Sequence, residues 1–202
     1  MKIDRKLNLV IPIERGDETT LWIHSTPVRK EVFEQYHLVL AKTFSAFAQN
    51  GLDPRSAPSV AALILKGIAQ NTPRGDATWW DGEDGVGGPV GLLAEIVRMS
   101  NCLVGTLEEG WRTVPLQDAL DKKLISDDEK SEVMNQLVFF TVVSLIAPRK
   151  DRPILVTGAA AIYQLEVTSS AFTEWSASLQ TQMRDEATGK KRKASSDITS
   201  DG

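Results

Sequence analysis

Residues 126–148, SDDEKSEVMNQLVFFTVVSLIAP, place the tightest constraint on how this chain can fold. The apolar run within them, LVFFTVVSLIA at 137–147, is eleven residues long. Crossing a bilayer takes about 20 residues. A helix that is apolar on every side and too short for a membrane belongs in a protein core. Ser126 and Glu129 stand at the spacing of a capping box, in which each side chain accepts the other residue's free N–H. Asp127 and Asp128 fall in the first turn, where they complement the helix dipole. Pro148 marks the stop. The segment reads as a buried helix with a well-defined start.

The N-terminus has a different period. Leu7, Leu9, Ile11 and Ile13 alternate with polar residues, the pattern of a half-buried strand. Beyond the turn-rich ERGDET comes TLWIHS, with Leu21 and Ile23 on one face and Trp22 and His24 on the other. Two strands joined through Gly16-Asp17 predict a β-hairpin. Pro12 cannot donate to a ladder, so the first strand should expose that position on an edge. An isolated hairpin is marginal in water. It must pack on helices or pair with another copy.

Downstream, helical spacing dominates. Thr26 is placed as N-cap and Pro27 at the first helical position, followed by a stripe of Val28, Val32, Tyr36, Val39, Leu40, Thr43 and Phe47, with Gly51 at the end. A second helix is predicted from Pro58 to Gln70 with Val60, Leu63, Ile64 and Ile68 as its apolar stripe. A third is predicted from Pro89 to about Val104, and the amphipathic VPLQDALDKKLI follows it. Two more helical segments fit near 154–164 and 169–183. The last stretch, RDEATGKKRKASSDITSDG, has almost no large apolar residue and should be disordered. The fold class is mostly α, with an N-terminal β-hairpin, a helical domain of about five to seven helices, and a disordered C-terminal tail. The corresponding boundaries are 1–26, 27–183 and 184–202.

Charge and composition narrow the function. The chain has 202 residues and a formal net charge of −4, which argues against nucleic acid as a partner. One cysteine, Cys102, excludes an internal disulfide and a cysteine zinc site. It sits among apolar residues and reads as a packing thiol, and the chain reads as cytosolic. The first twenty residues lack the hydrophobic block and cleavage site of a signal peptide.

Several motifs invite a chemical reading and do not sustain it. WWDGEDGVGGPVGLLAEI (79–96) is a glycine-rich loop feeding a helix, the form of a phosphate cradle. The dinucleotide fingerprint needs glycine where Val90 stands, and it needs a preceding strand. The P-loop spacing starts at Gly82 and Gly87, but Gly88 and Pro89 replace its lysine and hydroxyl, and Asp81, Glu83 and Asp84 would repel phosphate. What remains is a mobile connection between helices. Its Trp79 and Trp80 either anchor it to the body or mark a partner-binding patch. Arg15-Gly16-Asp17 is a polar hairpin tip, and KKRK at 190–193 a solvated tail. His24 and His37 are the only histidines and have no i, i+4 partner for a metal. There is no G-x-S-x-G elbow. The sequence yields no catalytic residue, no cofactor-binding residue and no metal ligand.

Three strings carry a resemblance: RKLNLVIPIERGDETTLWIHSTPVRKEVFEQY, WWDGEDGVGGPVGLLAEIVRMSN and GWRTVPLQDALDKKLISDDEKSEVMNQLVFFTVVS. Together they cover most of residues 5–145, and they resemble the tail assembly chaperones of long-tailed bacteriophages. Such proteins begin with a β-hairpin, continue as a helical domain and end in a flexible tail. The resemblance implies a non-enzymatic role in tail morphogenesis without a cofactor. The partners it implies are the tape measure protein, which the chaperone coats and keeps soluble, and the major tail protein, which displaces it as the tube polymerises. Self-association through the hairpin edge fits the same organisation, and no membrane is involved. The expected location is the host bacterial cytoplasm, and not the mature virion. Trp22, His24, Trp79 and Trp80 are the candidate partner-binding residues. Many members also make a longer product by ribosomal frameshifting, and Lys190-Lys191 is a candidate slip site. The alternative is a structural virion component, a tail or head-completion protein.

Overall fold

The computed structural model describes residues 2–3, 9–15, 18–49, 56–71, 88–106, 110–145, 154, 158, 161 and 166–167. Leu9, Ile11 and Ile13 are all buried, as the alternation requires. They lie on strand β2 (Leu9–Arg15), which pairs antiparallel with β3 (Glu18–Ser25), so the predicted hairpin forms. The register shifts by one residue between Ile13 and Glu14. Helices α1 (Lys30–Gln49), α2 (Ala57–Gln70), α3 (Gly88–Arg98), α4 (Leu116–Asp121) and α5 (Asp127–Leu145) hold the larger share of the described residues.

The hairpin belongs to a wider sheet than the sequence predicts. The third helix ends at Arg98, and the chain then forms a second hairpin of β4 (Ser100–Thr106) and β5 (Gly110–Pro115). The extension of that helix to Val104 is therefore corrected. Asn101, Gly105 and Thr106 are weak helix formers, and Ser100, Cys102 and Val104 alternate toward the core once β4 lies beside β3. Short strands β1 (Lys2–Ile3) and β6 (Glu166–Val167) complete six strands in the order β5-β4-β3-β2-β1-β6. All neighbours are antiparallel except β1 and β6.

One sheet face meets the helices. Ile11, Ile23, Cys102 and Val114 form a row across four strands within the core cluster. Above it, residues Leu137 to Ser144 of α5 are buried without interruption, which is the enclosure the apolar run demanded. Phe139 of α5 meets Phe47 of α1 with ring centroids 5.7 Å apart, a tilted aromatic pair.

Two helical details depart from the sequence reading. Thr26 does not cap α1, which starts at Lys30. Its N–H and Oγ1 instead reach the Met99 carbonyl at 3.3 and 3.4 Å, tying the end of β3 to the end of α3. In α2 the buried positions are Ala57, Ala61, Ala62, Leu65 and Ala69, whereas Leu63 is 62% exposed. The predicted stripe holds in part: Ile64 and Ile68 pack against the core, but the fully buried face is carried by Leu65 and four alanines. Small residues there admit the bulky side chains of α5, and the Ala62 N–H donates to Asn135 Oδ1 of that helix at 2.9 Å. The segments near 169–183 and 184–202, and most of 154–164, lie outside the described residues.

Candidate functional site

The face of the sheet opposite the core gathers two of the four predicted contact residues. Trp22 sits in a row with Pro12, Leu103 and Thr113, and His24 in the adjacent row with Val10, Asn101 and Pro115. Strand alternation brings them to one side two residues apart. They are not a free surface: His24 is 8% exposed, Leu103 2%, Val10 6%, and Trp22 is half-buried. The same face holds a residue the sequence reading passed over. The Trp111 ring lies over Gly105, with ring carbons 3.3–3.4 Å from where a Cβ would stand. An aromatic residue opposite a strand glycine was the available signal. The indole N–H of Trp111 is buried and finds no hydrogen-bond partner among the described residues. Trp79 and Trp80 lie outside the described residues.

An open feature lies elsewhere, at the outer edge of β2. Strand β1 covers only Leu9 and Val10 there, and no described strand pairs with residues 11–15 on that side. Between this edge and α5 runs a cleft of about 350 Å³ lined by Ile11, Pro12, Ile13, Glu14, Glu129, Glu132, Val133 and Gln136. The α5 residues recur at steps of three and four, so one helical face makes the far wall. Four consecutive β2 residues contribute, from both sides of the strand, so the cleft meets the strand at its backbone edge.

Glu129 organises the mouth of the cleft. The capping box forms: the Ser126 N–H donates to Glu129 Oε2 at 2.7 Å and the Glu129 N–H to Ser126 Oγ at 3.3 Å. The same carboxylate takes two bonds from Arg15, Nε to Oε1 at 2.7 Å and Nη2 to Oε2 at 2.8 Å. Arg15 Nη2 also donates to the Leu124 carbonyl at 2.7 Å. The Arg15 guanidinium, assisted by the Ser126 donors, holds the Glu129 carboxyl down at about 2. The arginine of the Arg-Gly-Asp tripeptide is thus engaged within the chain.

The Leu124 carbonyl is aimed by a backbone device. Helix α4 ends with Leu124 N–H bonded to Ala119 O at 2.9 Å and Lys123 N–H to Leu120 O at 3.0 Å, the paired bonds of a Schellman ending. Lys123 occupies the left-handed position, with φ 54°, where glycine is usual.

A second ionic cluster braces the other end of the body. Glu95 of α3 accepts from Arg98 at 2.6 Å and from Arg29 at 3.3 Å, and these guanidinium groups hold its pKa below the usual range. Cys102 is fully buried, and burial pushes its thiol up to about 11. Among the described residues, no group of three or more His, Cys, Asp or Glu could hold a metal ion, and no helix is long and apolar enough to cross a membrane. No protein-family model, curated protein or solved structure matches the chain.

Proposed function

We propose that the chain is a tail assembly chaperone of a long-tailed bacteriophage. In this reading it binds the tape measure protein non-enzymatically, keeps it soluble in the host cytoplasm, helps recruit the major tail protein, and is released before the virion is complete. The observation that carries the reading is the resemblance of three strings covering most of residues 5–145. The β2 edge, unpaired from Ile11 to Arg15 among the described residues, supports it, because an unpaired strand edge is a ready means of holding another polypeptide.

Co-expression with the tape measure protein encoded beside it tests the proposal. Soluble tape measure protein that co-purifies with this chain is the expected result. An insoluble tape measure protein with nothing bound overturns it. Recovery of the chain as a fixed component of purified particles favours a structural tail or head-completion protein instead. Trp22→Ala, in a variant that stays folded, asks whether the sheet face contributes to client binding.

A further inference from the structure

We propose that the cleft between β2 and α5 is a strand-addition site for a short, extended, lysine- or arginine-bearing segment of a separate polypeptide. The inference does not depend on the identity of the client proposed above.

The backbone argument comes first. Among the described residues no strand pairs with the outer edge of β2 from Ile11 to Arg15, and the described part of β1 covers Leu9 and Val10. Five residues of strand span about 16 Å, enough to pair a guest of similar length. Proline is tolerated in a paired strand only with its nitrogen turned away from the ladder. Pro12 pairs with Trp22 on the β3 side, so its carbonyl faces the cleft. Strand alternation turns the peptide groups of Glu14 the same way. The edge therefore offers carbonyl acceptors with few donors, and a guest must bring N–H groups to it.

Charge then chooses the guest. The lining holds three carboxylates, Glu14, Glu129 and Glu132, and no lysine or arginine among the described residues. Arg15 neutralises Glu129, and Gln136 Nε2 donates to only one oxygen of Glu132 at 3.1 Å. Glu14 and Glu132 stay exposed beside the buried side chains of Ile11, Ile13 and Val133. An extended segment that brings backbone N–H groups to the edge and cationic side chains to the carboxylates matches both features. A second copy of this chain does not, because pairing two β2 edges would bring both sets of carboxylates together.

The test uses the full chain and three nine-residue probes: a peptide alternating lysine and valine, one alternating glutamate and valine, and the lysine peptide N-methylated at alternate residues. We expect the lysine peptide to bind and to slow amide exchange at Glu14, the residue of 12–15 whose N–H faces the cleft. Binding should weaken at least tenfold for the glutamate peptide, for the N-methylated peptide, and for the double variant Glu14→Gln/Glu132→Gln with an unchanged far-UV spectrum. Equal binding of the N-methylated probe would reduce the site to charge attraction and overturn strand addition. Equal binding of the two charge types, no binding, or protection elsewhere overturns the proposal. So does edge protection that appears with protein concentration alone, which would assign the edge to a second copy.

Discussion

Arg15 and Glu129, 114 positions apart in sequence, form a two-bond ion pair that fastens the hairpin end to the first turn of the central helix. The pair is partly wet, with 44% of the Arg15 side chain and 20% of that of Glu129 exposed, so its strength is moderated by solvent. Glu129→Ala removes the pair and the capping box together. We expect a loss of about 1–2 kcal/mol in urea unfolding. Ser126→Ala removes only the Oγ half of the box, because the backbone N–H at 126 still donates to Glu129, and it should cost less than Glu129→Ala. Arg15→Ala removes the pair together with the bond to the Leu124 carbonyl. Unchanged stability in Ser126→Ala would show that the Ser126 Oγ bond contributes nothing.

Acid should act through the same carboxylate. Glu129 is ionised in the folded protein down to about 2, well below its ordinary value of 4.5. A depressed folded pKa stabilises fully above the ordinary value and loses that contribution as pH falls toward the folded one. The stability gap between the native chain and Glu129→Gln should therefore be constant near neutrality and shrink from about pH 5 toward pH 2. A gap that keeps its size across that range would show that the pair does not set this pKa.

Lys123 invites a stabilising change. Its left-handed backbone costs an L-residue about 1–2 kcal/mol, which glycine avoids, and glycine's freer unfolded chain returns about 0.4–1 kcal/mol of that. Lys123→Gly should raise stability by about 0.5–1 kcal/mol in thermal or urea unfolding. A decrease would mean that the lysine side chain makes a compensating contact.

Asn135 ties two helices through one amide. Its Oδ1 takes the Ala62 N–H, and its Nδ2 donates to the Ser131 carbonyl at 2.9 Å. Asn135→Ala should cost about 1–3 kcal/mol, the range for stranding a buried polar group. Amide exchange at Ala62 should accelerate more than at its α2 neighbours. Uniform acceleration would assign the loss to packing alone.

The Cys102 thiol, raised from 9.0 to about 11, holds roughly one hundredth of the ordinary thiolate at mildly alkaline pH. Burial adds a steric barrier. Thiol reagents should label it only as fast as the chain opens, and adding urea below the unfolding midpoint should speed labelling steeply. Immediate labelling of native protein would contradict the buried position.

Legibility from sequence followed the range of the interactions. The capping box, the α5 core run and the β2–β3 alternation depend on neighbours within a few residues, and each formed as read. Strand β4 could not be read that way, because Ser100–Val104 take an extended form through partners in β3, such as Ile23 opposite Cys102. The α2 stripe was legible only in part: Ile64 and Ile68 pack against the core, but a pattern scored by size ranks Leu63 above Ala61, although close helix packing prefers the smaller residue. Trp22 and His24 were recognised as one face, but nothing local indicated that the face would be covered. The β2–α5 cleft was invisible because it exists only where distant segments stop short of each other.

The order of the sheet has a consequence for synthesis. Strand β3 lies between β2 and β4, so its second partner does not exist until residues 100–106 have been made. At roughly 5–20 residues per second, a nascent chain waits several seconds with a tryptophan-bearing strand lacking that neighbour. During that interval the β3 edge is open to capture by other polypeptides on the ribosome.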